Sequence, residues 1–286
     1  MRSVKSLIAA GAASVLSTAA FAADMPSIMP PPPAQYYAPP VEDFGGWYLR
    51  GDIGMTNTRG KFFAPAYNDA TTLAVSQLGH EFTGGTSFGL GVGYQFNSWF
   101  RADITGEWRS KVHFSGTDFA SIAGLGPIAD TYSAGFTSWV AMANVYVDLG
   151  TWWCITPFVG VGVGGAFNQI SGLTDFGAIP SPGVGSVNAA VYFANTATET
   201  KANFAWAAHA GLAYKVNQNF TIELAYRYLD MGTAITGAGS TFDGTRSSRA
   251  FEFHDLTSHD LKLGVRWTCC DVPAPAPAPA PLIRKG

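Results

Sequence analysis

The apolar residues between Ser87 and Trp108 recur at every second position, in two runs that are separated by Asn97 and Ser98. A period of two predicts β-strands, because successive side chains on a strand point to opposite faces. Glycine and small polar residues fill the other positions of the first run, and charged residues fill those of the second. The pattern therefore predicts a β-hairpin with one apolar face and one face of glycine and charge.

The same alternation predicts eight strands along the chain. They are Trp47–Thr58, Ser87–Phe96, Phe100–Trp108, Thr137–Leu149, Pro157–Asn168, Asn203–Val216, Phe220–Leu229 and Ser258–Trp267. Their connections alternate in length, with short ones at 97–98, 150–156 and 217–219 and long ones at 59–84, 114–136, 169–202 and 230–257. Alternating short turns and long surface loops are typical of outer-membrane barrels.

Composition favours the membrane over a soluble barrel. The chain is 47% hydrophobic and 13% charged, and beyond its N-terminus it has no apolar run of the length that a spanning helix needs. All eight tryptophans fall at predicted strand ends or turns, as in two interfacial girdles. A soluble lipocalin-like barrel would leave these aromatic ends unexplained. We therefore predict an all-β fold, an eight-stranded antiparallel transmembrane up-and-down β-barrel.

The two ends of the chain differ from the middle. Residues 1–22 have the basic start, apolar stretch and Ala20-Phe21-Ala22 site of a signal peptide. Proline-rich segments follow at 23–45, as a periplasmic arm, and at 269–286, as a Cys-Cys and Pro-Ala tail, and we expect both to be disordered. Between them, 46–268 form the barrel. An even strand number places both termini in the periplasm, and the acidic net charge argues against nucleic acid as a partner.

Charged residues lie at the inward positions of the predicted strands. The bases are Arg50, Arg101, Arg109, Lys215, Arg227, Lys262 and Arg266, and the acids are Asp52, Asp103, Glu107, Asp148, Glu223 and Asp260. An eight-stranded barrel is only wide enough for its own side chains. Because the two signs nearly balance, we expect lumen ion pairs that close the barrel, whereas a selective pore would show one sign in excess.

No motif predicts catalysis, a metal or a cofactor. The G-x-G-x-x-G pattern from Gly160 to Gly165 lies in a predicted strand, whereas a dinucleotide site needs a helix there. Ser258 and His259 are adjacent, so on a strand they face opposite ways and cannot form a catalytic dyad of the kind a lipid A deacylase needs. Loop positions are expected for His80 and His254, and a lumen hydrogen bond for His209.

Three cysteines lie on the predicted periplasmic side, where conditions are oxidising. Cys154 is in a short turn, and Cys269 and Cys270 follow the last strand. We predict one disulfide from Cys154 to Cys269 or Cys270, and the spacing does not choose between them.

Several short strings resemble one family. They are Trp47–Asp52, Gly93–Phe96, Ala143–Leu149, Thr156–Gly160 and Tyr226–Leu229. As a set they resemble the small outer-membrane surface antigens of alphaproteobacteria, the opacity-protein-like porin family. The resemblance implies an eight-stranded barrel in the Gram-negative outer membrane, and we predict a monomer with outer-membrane lipid and lipopolysaccharide as its partners. It leaves open a structural role, a narrow porin, and a surface adhesin or haem-binding antigen that acts through the long loops.

The resemblance also gives meaning to the mature N-terminus, Ala23-Asp24. Related barrels with this start are linked through the terminal amine to peptidoglycan. The segment Met25–Phe44 would reach about 60 Å as polyproline II, at roughly 3.1 Å per residue. We therefore expect Ala23 to supply an amine for attachment to peptidoglycan, so that the protein tethers the outer membrane to the wall.

Overall fold

The computed structural model describes residues 45–63, 72–123, 126–178, 192–240, 246–247 and 250–269. The predicted signal peptide, almost all of the proline-rich arm, and the tail from Cys270 onward lie outside these ranges. No helix within them is long and apolar enough to cross a bilayer.

Twelve strands occur in the described residues. They are β1 Gly46–Phe63, β2 Thr72–Phe82, β3 Gly85–Gln95, β4 Phe100–Ile122, β5 Gly126–Asp148, β6 Ile155–Ala178, β7 Tyr192–Thr196, β8 Glu199–Lys215, β9 Phe220–Ile235, β10 Gly239–Ser240, β11 Arg246–Ser247 and β12 Glu252–Cys269. Eight of them close an antiparallel ring in the order β1, β3, β4, β5, β6, β8, β9 and β12, since β12 pairs back onto β1. The predicted eight-stranded antiparallel barrel is confirmed.

The short connections and both ends of the ring lie at one end of the barrel. Trp47 at the start of β1 is opposite Cys269 at the end of β12 and opposite Tyr94 near the end of β3. The β3–β4, β5–β6 and β8–β9 turns lie at this same end. We call it the turn end, and the opposite end, where strands β4, β5 and β6 continue furthest, the extension end.

The strands extend further than the sequence pattern predicts. The predicted loop 114–136 is mostly strand, because β4 runs to Ile122 and β5 begins at Gly126. The predicted loop 59–84 contains β2, which pairs with the far half of β4. As a result Trp108, Trp139 and Trp206 lie within strands rather than at strand ends. These strands continue past the membrane surface, so a tryptophan at that surface lies inside the strand and not at its end.

On β5 the apolar residues move from the outward to the inward positions along the strand, which explains why the sequence pattern does not predict the extension. In β5 the lipid-side apolar positions are odd-numbered and include Trp139, Val145 and Val147, which are exposed. Toward the extension end the apolar positions become even-numbered, and Tyr132 and Phe136 are buried inside. The apolar positions thus change where β5 leaves the membrane. The strand predicted from a continuous period of two therefore ends at that point.

β4 brings its apolar residues to the inside in a different way, through a bulge, while their positions stay even-numbered. Between Arg109 and Val112 it advances three residues while β5 advances two, from Ser138 to Phe136. One extra residue exchanges the faces of a strand. Trp108 therefore points out, whereas Val112 and Phe114 beyond the bulge are buried inside.

The outward face of the ring is apolar between the two girdles. Met55, Leu90 and Ile104 are 72%, 74% and 66% exposed. Apolar exposure of this extent is expected where a barrel meets lipid chains.

Inward glycines make room for large lumen side chains. A Cβ on Gly93 would lie 2.3 Å from Cζ of Tyr48 and 2.6 Å from the backbone oxygen of Ala102. Similarly, a Cβ on Gly160 would lie 2.4 Å from the ring of Tyr146. The G-x-G-x-x-G pattern lies on β6, and its first glycine provides space inside a barrel.

Gly93→Ala should lower the free energy of unfolding by about 1 to 3 kcal/mol, because the new methyl overpacks against Tyr48 and a backbone oxygen that cannot rotate away. Gly106→Ala is the matched control, since a Cβ there meets nothing within 4 Å. Urea unfolding in lipid vesicles, followed by tryptophan fluorescence, measures both. Equal stability of the two variants would contradict the packing argument.

Candidate functional site: the barrel lumen

The lumen contains two charged clusters and, beyond them, an apolar one. The cluster nearer the turn end joins three arginines and three carboxylates, Arg50, Arg101, Arg266, Asp103, Asp148 and Glu223. The second joins three bases and three carboxylates, Arg109, Arg227, Lys262, Asp52, Glu107 and Asp260. Each cluster is neutral by formal charge.

Glu223 is the shared carboxylate of the first cluster. One of its oxygens is 3.2 Å from Nη1 of Arg101 and 3.6 Å from Nη1 of Arg266, and the other is 3.7 Å from Nη2 of Arg50. Arg101 is fully buried, with its guanidinium 4.3 Å above the ring of Tyr146. It also donates from Nε to Asp148 at 3.2 Å. A single carboxylate therefore holds three arginines together.

Asp260 has the same role in the second cluster. Arg109 donates to both of its oxygens, at 2.8 and 3.1 Å, and Arg227 donates to it from Nε and Nη2 at 3.0 and 2.6 Å. Glu107 accepts from Arg227 at 2.5 Å and from Lys262 at 2.7 Å. Lys262 also pairs with Asp52, while Nε of Arg50 lies 3.5 Å from Asp52, which connects the two clusters.

Neutral polar side chains complete the network, and the sequence analysis did not select them. Asn144 donates to Asp103 at 2.8 Å, Tyr48 donates to it at 3.1 Å, and Ser258 donates to Asp260 at 2.5 Å. Asn144 and Ser258 lie an even number of residues from Asp148 and Asp260 on the same strands, so the alternation places them on the lumen face too.

Two predicted lumen residues differ from expectation. Lys215 is exposed at the turn end, and among the described residues no ion pair to it is found, because β8 ends there and its side chain reaches the open mouth. His209 lies against the ring of Tyr146 at 5.4 Å, and its Nε2 has no hydrogen-bond partner within the described chain.

An aromatic cluster fills the interior toward the extension end. Phe62 contacts Phe114, Tyr132 and Phe253, with ring centroids 4.6 to 5.2 Å apart. These rings are at most 3% exposed, and the buried Leu256 and Met231 belong to the same cluster. Nδ2 of Asn168 donates to the backbone oxygen of Met231 on β9 at 2.8 Å.

His80 is in a strand and not in the predicted loop. It lies on β2 with Nε2 2.7 Å from the buried Asp118 of β4. His254 likewise lies on β12, 2.7 Å from Glu252. Both corrections have the same cause, since the strands continue beyond the membrane.

A family model described as the outer membrane protein beta-barrel domain matches residues 8–268. The chain belongs to this family. Its alphaproteobacterial relatives include an uncharacterized protein of Brucella abortus strain 2308, 30% identical over 206 residues that cover 66% of this chain and 69% of the relative. The outer membrane protein PagN of Salmonella typhimurium strain LT2 is 29% identical over 126 residues, 44% of this chain and 47% of that one.

Among solved structures, the outer membrane protein OprG from Pseudomonas aeruginosa is similar in fold. It has 12% identity and a TM-score of 0.44, with 79% of this chain and 97% of that chain covered. The family assigns the chain to the Gram-negative outer membrane.

In this outer-membrane barrel Ser258 and His259 are on opposite faces of β12. Ser258 is buried in the lumen beside Asp260, and Nδ1 of the outward His259 lies 2.6 Å from the hydroxyl of Tyr226. The two side chains have different partners and do not form a dyad.

The structure bears on only one of the two predicted cysteine pairings. Cys154 and Cys269 are not joined to each other by a disulfide. Cys269 donates from Sγ to the backbone oxygen of Trp47 at 3.4 Å, so the ladder between β12 and β1 holds it. Cys270 lies outside the described residues, so its pairing with Cys154 stays a prediction.

Three aspartates lie on neighbouring strands at the extension end. Asp118 on β4 is opposite Asp130 on β5, and Asp175 on β6 is opposite Tyr132 on β5. Asp175 comes about eight residues beyond Phe167, the partner of Trp139, and so lies outside the membrane band. Burial, with Asp130 and Asp118 nearby, raises the pKa of Asp175 to about 7.

The raised pKa predicts a pH-dependent stability. Because the folded pKa of Asp175 lies above its ordinary value of 3.8, ionising this carboxyl costs folding free energy, and stability falls as pH rises from about 4 to 7. Asp175→Asn should therefore be more stable than the native chain at pH 8, by about 2 to 4 kcal/mol, with no difference near pH 4.

Urea unfolding at the two pH values measures this effect. Asp255→Asn is the control, because Asp255 is at the same end but is exposed and paired with Lys61. A difference between Asp175→Asn and the native chain that does not change with pH would contradict the prediction.

Proposed function

We propose that this outer-membrane barrel is a non-enzymatic structural protein of the cell envelope with a closed lumen. The observation that carries the proposal is the neutral network of six acids and six bases across a ring of eight strands. An eight-stranded ring leaves room for little more than its own side chains. The proposed partners are outer-membrane lipid and lipopolysaccharide around the exposed apolar band.

The energetics of buried charges favour closure over conduction. Removing one partner of a buried ion pair typically costs 3 to 5 kcal/mol, because the other charge stays buried without compensation. Glu223 and Asp260 each hold more than one base, so a passage through the network requires several pairs to separate together. The aromatic cluster around Phe62 adds a dry layer that a hydrated ion would also have to cross.

Planar-bilayer recording tests the closed lumen. The refolded native chain should give no large, reproducible conductance steps. Glu223→Ala should give small steps, since it frees space and leaves Arg101 and Arg266 without their shared carboxylate. Lys61→Ala is the control outside the lumen, and a heat-dependent shift on gels checks that each variant is folded. Large steps from the native chain would overturn the proposal and favour a narrow porin.

We further propose that the N-terminal arm tethers the barrel to peptidoglycan through Ala23. Short turns of outer-membrane barrels face the periplasm. β1 begins and β12 ends at the turn end, which supports an arm that leaves the barrel on the cell-wall side. Ala23 and Asp24 themselves lie outside the described residues, so this attachment rests on the sequence and the family resemblance.

Mass spectrometry of lysozyme-digested envelopes tests the tether. The N-terminal peptide should carry a muropeptide on the amine of Ala23. Lys285 in the tail is the internal comparison, because its amine should stay unmodified. Recovery of only unmodified Ala23 peptides would end the covalent-tether proposal and leave the closed barrel unaffected.

A further inference from the structure

A polar cavity of 280 Å³ opens at the turn end of the barrel. All three short turns contribute to it, through Ser98, Thr151 and Gln218. Gly45 at the start of the described chain lines it on one side, and Lys215 and Arg266 line it on another. None of the functions considered above uses this cavity.

Basic residues form a cross-strand row along the cavity wall. Arg266 of β12 is opposite Arg50 of β1 on one side and Thr221 of β9 on the other. Thr221 is in turn opposite Lys215 of β8. Like charges directly opposite each other destabilise a sheet unless an acid compensates them. The row therefore needs negative charge nearby.

The first cluster is neutral, but each of its acids lies closer to another arginine than to Arg266, and among the described residues none pairs with Lys215. Glu223 lies within ion-pair distance of three arginines, and its Oε1 lies closer to Arg101 than to Arg266, at 3.2 against 3.6 Å. Asp148, which also lines the cavity, pairs with Arg101. Arg266 is 7% exposed, yet its Nε and Nη1 have no hydrogen-bond partner among the described residues. A buried guanidinium with free donors beside a cavity is built to accept an anion.

We propose that this cavity is a carboxylate-binding site in which Arg266 donates to the carboxylate from Nε, which has no hydrogen-bond partner among the described residues, and Lys215 pairs with it from the open side. The planar guanidinium matches the geometry of a carboxylate. Two sources of this chemistry exist. One is the chain's own Glu42 and Asp43, which precede Gly45 by three and two residues and so fall within about 11 Å of it along the chain. The other is a free carboxylate from the surrounding solution.

Acylation of Lys215 by an amine-reactive ester, measured by mass spectrometry on the refolded full chain, tests the site. A bound carboxylate keeps the Lys215 amine protonated and shielded. If Glu42 and Asp43 occupy the site, the E42Q/D43N variant should react roughly tenfold faster at Lys215 than the native chain. Added glutarate, a simple dicarboxylate, should then restore the protection in a saturable way.

If a free carboxylate is the ligand, glutarate should slow the reaction of Lys215 in the native chain itself. Lys111, an exposed lysine near the extension end, is the control in the same spectrum and should react at one rate throughout. Arg266→Lys should abolish protection by glutarate, with folding checked by the heat-dependent gel shift.

Three results would overturn the proposal. The first is a Lys215 rate that changes with neither glutarate nor E42Q/D43N. The second is equal protection of Lys111, and the third is full protection by glutarate in a folded Arg266→Lys chain. The site does not depend on the closed lumen, because bilayer recording that showed conduction would leave the reactivity of Lys215 unaffected.

Discussion

The main constraint on this barrel is the burial of charge inside a narrow ring. Eight strands enclose a space too small for bulk water to solvate arginine and aspartate side chains, so each charge must find its partners among the others. Glu223 and Asp260 do so by serving several bases at once. The glycines opposite Tyr48 and Tyr146, and the hydroxyl and amide groups of Ser258 and Asn144, are needed because the network fills the lumen.

The sequence predicted the ring well because the membrane imposes a simple rule. Within the lipid, apolar residues must face outward, and the strict alternation from Phe88 to Trp108 follows from that requirement. Beyond the aromatic girdle the outer face of the strands no longer contacts lipid, so apolar residues need not point outward. Tyr132 and Phe136 turn inward on β5, which breaks the alternating pattern there, whereas in β4 the apolar positions stay even-numbered and the bulge turns them inward.

The lumen residues were predictable by position, and their partners were not. All twelve charged residues of the two clusters were predicted to lie in the lumen, because each occupies an inward position in the alternation of its strand. Which acid meets which base depends on strand order and stagger around the ring. Lys215 is the exception, since it has an inward position but lies where β8 ends at the mouth, and there an ion pair is no longer required.

The bulge between Arg109 and Val112 also affects how length changes in this chain should be interpreted. In most barrels a residue lost above the membrane would count as a shortened loop and would be tolerated. Here Ser110 and Lys111 share one outward position, so the loss of either would remove the bulge and leave Phe114 facing the interior, whereas the loss of His113 would turn the rest of β4 over. Phe114 would then face water, and Ser115 would face the aromatic interior. A comparison of related sequences should therefore treat a gap at His113 as a change of topology, equal in weight to the loss of a core residue, and a gap at Ser110 as the loss of a bulge that leaves the facing of β4 unchanged.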